Sequence, residues 1–185
     1  MRAYGAALSV AGALLAATAP PRAAVEYPLA LVLEAQVKTG VTRVTSTLSI
    51  RVDRAMDDRL RTRVTDALKY GGYSDFVTAL RPMPAVGEIA TASHKVEVRY
   101  TREEEDGGNR RLIVVADRPL FFLSGDPAKA RTGYELTVVD LRIAADGATT
   151  GTMAAAARVK PSPNGVVLDN YAESLVELKG SIARK

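Results

Sequence analysis

Period-two alternation of apolar and polar residues constrains this chain more than any other feature. Val44, Leu48, Ile50 and Val52 fall on one parity, and Arg43, Thr45, Thr47, Ser49 and Arg51 on the other. Successive side chains of a strand point to opposite faces, so the pattern describes a strand with one apolar face. Thr and Val suit it, because branched side chains fit a pleated surface. Upstream, Leu29, Leu31, Leu33, Ala35 and Val37 alternate with Ala30, Val32, Glu34, Gln36 and Lys38, and Gly40 breaks the run. The two stretches predict a hairpin around Lys38-Thr39-Gly40.

The period recurs downstream. Val96, Val98 and Tyr100 alternate with Lys95, Glu97 and Arg99, and the polar, Gly-rich stretch Glu103 to Asn109 predicts a hairpin loop. Leu112 to Ala116 is continuously apolar, as a strand buried on both faces requires. Tyr134, Leu136 and Val138 share one parity, whereas Val139, Leu141 and Ile143 share the other; this change of phase predicts a β-bulge near Val138. Asp146-Gly147 turns the chain into a strand carrying Met153, Ala155, Ala157 and Val159. Pro161 to Gly165 makes another turn, and Val176, Leu178 and Ile182 form the apolar face of the last strand.

One segment follows a helical period instead. Asp57 or Asp58 caps a helix whose apolar stripe is Leu60, Val64, Ala67 and Leu68, and Gly71-Gly72 ends it. A second short helix from Ser74 buries Phe76, Val77 and Leu80 and stops before Pro82. The expected fold is therefore mainly β, with about 7–8 antiparallel strands and a short helical insertion near 56–81. A β-sandwich is the first expectation and a closed β-barrel the alternative, since either buries one face of such a sheet.

The first residues read differently. Arg2 precedes a small, apolar run from Ala6 to Ala17, and Ala17-Thr18-Ala19 has the A-x-A form of a signal cleavage site. The run is shorter than the ~20 residues of a membrane span. Residues 1–24 are thus expected to be a secretory signal, cut between 19 and 24, and 25–185 a single β-rich domain that is periplasmic or extracellular. With 0 Cys the chain forms no disulfide and offers no Cys for lipidation. No later segment is expected to span a membrane stably. The formal charge is 25 − 21 = +4; losing Arg2 gives +3, and losing Arg22 as well gives +2. Such a balance excludes the basic footprint of a nucleic-acid-binding protein.

Residues that could do chemistry are few. The one histidine, His94, follows Ser93; on a strand the two would point apart and could not act as nucleophile and base. One His and no Cys exclude an ordinary four-ligand zinc site, and no cofactor-binding loop pattern is present. No catalytic residue, metal or cofactor is assigned. Asp117, Asp126, Glu135 and Asp140 are the acids from which a glycan-cleaving pair would be drawn. Arg59 and Arg63 share a helix face, read as solvated, with Asp57–Arg61 and Arg63–Asp66 pairs. Tyr70, Tyr73 and Tyr171 are candidates for a carbohydrate or peptide groove.

The least ordinary segment runs from Arg118 to Leu123 and holds two of the 3 Phe residues. Leu120, Phe121, Phe122 and Leu123 are the expected ligand or partner contacts. The sequence thus suggests an exported, non-enzymatic binding or interaction module of a bacterial cell envelope, meeting an envelope protein or a small apolar ligand. A barrel carrying a small apolar ligand, with the Phe segment at its mouth, is the alternative. A glycan-acting enzyme using paired carboxylates is the third reading.

Overall fold

A computed structural model describes residues 26–39, 41–120, 132–163, 165–171 and 175–183; the expected signal, 1–24, lies outside them. The strands are β1 (Leu29–Thr39), β2 (Thr42–Val52), β3 (Gly87–Ala90), β4 (Lys95–Asp106), β5 (Asn109–Ala116), β6 (Leu136–Ile143), β7 (Ala148–Ser162), β8 (Gly165–Asn170) and β9 (Val176–Ile182). Between β2 and β3 lie α1 (Asp58–Asp66), a π-turn over Ala67–Gly71, and α2 (Gly72–Leu80).

Each strand from β1 to β7 pairs antiparallel with the next. β9 then pairs with both β7 and β1, from Leu31↔Ile182 to Gln36↔Glu177. The sheet is therefore a closed eight-strand antiparallel barrel, the alternative architecture, and not a two-sheet sandwich. Pairing of the first strand with the last removes the edges that a sandwich would keep. Gly180 permits this seam, because a Cβ there would lie 2.1 Å from the Val32 carbonyl oxygen.

The barrel is filled by its own side chains. Leu31, Leu33, Leu48, Ile50, Leu112, Leu141 and Met153 are all buried inside it. Eight strands leave an interior just wide enough for such residues, and each is worth roughly 1.5–3 kcal/mol of burial. A second core lies on the outer wall. There Val64, Leu68, Phe76, Val77 and Leu80 of the helical segment cover Tyr100, Val115, Leu136, Ala157 and Val159. β5 is thus covered on both faces, as its unbroken apolar run demanded. Asp57 caps α1, accepting from the Arg59 and Leu60 N–H groups at 2.9 and 3.2 Å. α2 follows the π-turn directly, so it begins at Gly72 and not at Ser74.

Three local expectations change. First, β4 does not alternate throughout. Val98 pairs with Ala116 but Tyr100 with Val115, so Arg99 is an extra residue that turns Tyr100 outward, under the helices. Thr101 takes the inward position and accepts the Met56 N–H at 3.1 Å.

Second, the irregularity at Leu136/Val138 is present, but its extra residue is on β7; β6 keeps an unbroken register with β5. The change of phase arises because Leu136 is buried outside, by the helices, and Val139, Leu141 and Ile143 inside.

Third, the loop expected over Glu103 to Asn109 is only Gly107-Gly108, with φ of 57° and 85°. That left-handed pair is the two-residue turn that matches strand twist. The acids before it belong to β4, where Glu104 faces Arg111 and Glu105 faces Arg110.

Candidate functional site

β7 is 15 residues long, and its last part outruns the barrel wall. Ala157 pairs with Leu136 of β6 on one side and with Asn170 of β8 on the other. β8 therefore lies along the same edge of β7 that β9 occupies lower down, and it pairs with no further strand among the described residues. β7 and β8 form an arm at the rim that also carries the β1–β2 and β3–β4 turns.

This rim concentrates apolar surface. Among the described residues the exposed large apolar side chains are Val41, Val166, Val167, Leu168, Tyr171 and Leu175 here, and Val32 and Tyr70 elsewhere. Burial normally claims such groups, and a contiguous exposed set marks a contact surface. On β8 both parities are open: Val166 is 60% and Val167 51% exposed. At the base of the neighbouring turn Lys38 sits directly opposite Arg43, and like charges so placed repel. Two clefts share this pair. One, of about 300 Å³, also touches Leu175 and Glu177; the other, of about 390 Å³, touches Val41 and Thr42.

Tyrosines gather behind the arm. The Tyr134 and Tyr171 rings lie 5.5 Å apart, and the Tyr134 hydroxyl donates to Asp169 at 3.2 Å. Tyr73 donates to Glu135 at 2.5 Å, under the Arg158 guanidinium at 5.3 Å from its ring. Burial and the Glu135 carboxylate push the Tyr73 phenol up. Burial alone would raise Glu135, but the Tyr73 hydroxyl and the Gly133 N–H, at 2.9 Å, outweigh it and hold the carboxyl below its usual range. Of the three tyrosines singled out in the sequence, Tyr73 and Tyr171 stand here, whereas Tyr70 is exposed on the π-turn beneath the Lys69 ammonium. Tyr134, read from the sequence as a strand residue, lies just before β6, and alternation carries no sign that its ring meets Tyr171.

Comparison with protein-family models, curated proteins and solved structures finds no match.

Leu120 is fully buried in the barrel core. Its N–H donates to the Ala155 carbonyl at 2.9 Å and to Thr137 Oγ1 at 2.8 Å, where the β7 bulge exposes that carbonyl. Phe121, Phe122 and Leu123 lie outside the described residues. Ser93 and His94 are in the Thr91–His94 turn rather than on a strand, and Ser93 Oγ is 2.9 Å from His94 Nδ1. The expectation that they point apart is thus corrected: the turn folds around Thr91 Oγ1, which accepts both their N–H groups at 3.4 and 3.1 Å. Both are exposed, and the hydrogen bonds described around them include no acid orienting the imidazole, which an activated nucleophile requires.

The candidate acids are separately engaged. Asp140 takes a two-pronged contact from Arg111 at 2.9 and 2.7 Å, Asp117 lies 3.8 Å from Arg99 Nε, Glu135 is held by Tyr73, and Asp126 lies outside the described residues. Arg61 pairs with Asp58 at 2.7 Å instead of Asp57, whose carboxylate is occupied as the helix cap. At the opposite mouth, a cleft of about 240 Å³ is bounded by Tyr27, Met56, Arg61, Thr101 and Glu103, with the Tyr27 hydroxyl donating to Glu103.

Proposed function

We propose that this protein is an exported, non-enzymatic binding module of the cell envelope, and that the arm-bearing rim is its contact surface. The observation that carries this reading is the gathering of exposed apolar side chains there, from Val41 to Leu175. The uncovered outer face of β2 is polar: Thr45, Thr47, Ser49 and Arg51 face outward and exposed. That polarity is opposite to a membrane barrel, whose outer band is apolar; no described helix is long and apolar enough to cross a membrane. Support for a carrier is weaker, since the interior space is taken by Leu, Ile and Met side chains. Support for export is the sequence from Arg2 to Ala19.

A photo-crosslinking residue placed at Val41 or Val167 in the native envelope should give discrete adducts, and one at Thr47 or Ser49 should not. Equal labelling from wall and rim sinks the reading. Protein from the envelope fraction should have an intact mass lacking Met1 to at least Ala19; full-length chain in the cytoplasm would contradict export.

A further inference from the structure

The β8 edge is open in a specific way. Tyr171 N–H donates to the Ala156 carbonyl at 2.9 Å. In an antiparallel ladder bonded pairs alternate with non-bonded ones. Asp169 opposite Arg158 and Val167 opposite Lys160 are therefore bonded pairs, and the N–H and C=O groups of Val166 and Leu168 point away from β7. Natural edges are guarded by charge, proline, a bulge or a cover. Among the described residues nothing of this kind guards Val166-Val167-Leu168, whose side chains are exposed.

We infer that β8 pairs antiparallel with β8 of a second copy of the chain, joining two barrels through one continuous sheet. This rests on the rim being a contact surface, and it names the occupant of one part of it. A two-fold pairing must set outward-pointing residues against each other, and of the registers that do so two pair five of the six residues of β8. With the axis at Leu168, Val167 meets the Asp169 of the second copy and Val166 its Asn170. With the axis at Val167, Val166 meets Leu168, Val167 meets Val167, and Asp169 meets Gly165. The second arrangement stacks three apolar pairs at the axis, opposes no like charges, and leaves each Asp169 with its own Lys160 at 3.0 Å. The edge is thus complementary to itself, and this favours a second copy over a foreign strand.

The chain has 0 Cys, which makes the register directly testable. At the axis Val167 faces its copy in a non-bonded pair, with Cα atoms roughly 4.5 Å apart, within the span a disulfide bridges. Val167→Cys should oxidise to a covalent dimer at micromolar concentration. Gly165→Cys, facing Asp169, should remain monomeric on a non-reducing gel, as should Thr47→Cys. The wild-type mature protein should sediment at twice the monomer mass. Leu168→Pro, which removes an outward N–H but no bond to β7, should halve that mass with an unchanged circular dichroism spectrum. Leu168→Lys gives the same reading if the proline perturbs the arm. A monomeric wild type whose Val167→Cys form stays reduced overturns the inference, and a dimer in which Gly165→Cys crosslinks as fast as Val167→Cys overturns the register. If rim crosslinks to other molecules persist in a monomer, the contact surface stands and only the second copy falls; if they vanish while the dimer remains, the wider binding role falls instead.

Discussion

Thr47 and Leu48 are neighbours on β2, yet one is in water and the other wholly inside the barrel. A carboxylate at Leu48 would be buried without a partner, at a cost of several kcal/mol. Leu48→Asp should therefore unfold the domain, and so should Leu136→Asp beneath the helices, whereas Thr47→Asp should move stability by no more than about 0.5 kcal/mol. Thermal melting decides it, and equal Tm values for Thr47→Asp and Leu48→Asp would contradict the register. Leu120→Ala should cost about 2–5 kcal/mol by emptying a filled site, which separates a core residue from a contact. Tyr73→Phe removes a hydrogen bond to a partly exposed carboxylate and should cost about 1 kcal/mol near neutral pH. The sign with pH follows from the two shifts. Glu135 is held below its ordinary range, so its contribution exists above the unfolded pKa and is lost as pH falls through the lower folded one. Tyr73 is raised, so its share disappears as alkali passes through the raised value. Urea melts should show wild type and Tyr73→Phe converging in acid.

At the scale of elements, alternation and turn residues were enough to locate β1, β2, β5 and β9 and the helix stripe ending in Leu80. The cap was legible to within one residue, Asp57 or Asp58, because Asp57 acts on Arg59 and Leu60, only two and three positions on; Asp57→Ala should cost about 1 kcal/mol, measured by denaturant unfolding. What stayed hidden was longer in range. Arg99 looks like any outward strand residue, and only the register of β4 against β5 shows that it is surplus and that Tyr100 turns away from the barrel. Leu136 seemed out of phase because alternation assumes one buried face, and the helices create a second. Ser93 and His94 seemed to belong to a strand because their turn is held by Thr91, whose N–H donates to the His94 carbonyl at 2.8 Å and whose hydroxyl accepts the Ser93 and His94 N–H groups. The candidate site was hardest to see: Val166, Val167 and Leu168 have the composition of a core strand, and their exposure follows from β7 outrunning its neighbours. Leu120 in turn read as a contact residue but is core.

Across the whole molecule, two hydrophobic bodies share one wall: the barrel interior and the layer between wall and helices. Both use β5 and β6, so a lesion in either should lower one common melting transition, and calorimetry should show a single peak. The ring itself is joined where β1 meets β9, with Leu31 beside Ile182 and Leu33 beside Gly180. The ring pairs from β1–β2 to β6–β7 can form while the chain is still emerging, but both pairs made by β9 wait for that strand, and the β1–β9 seam joins residues some 150 positions apart. A chain delivered N-terminus first would therefore expose one unpaired edge of β1 and an unclosed interior until β9 arrives. Export through a membrane pore, as proposed above, would demand an unfolded chain, and this topology would postpone closure of the barrel until β9 has crossed.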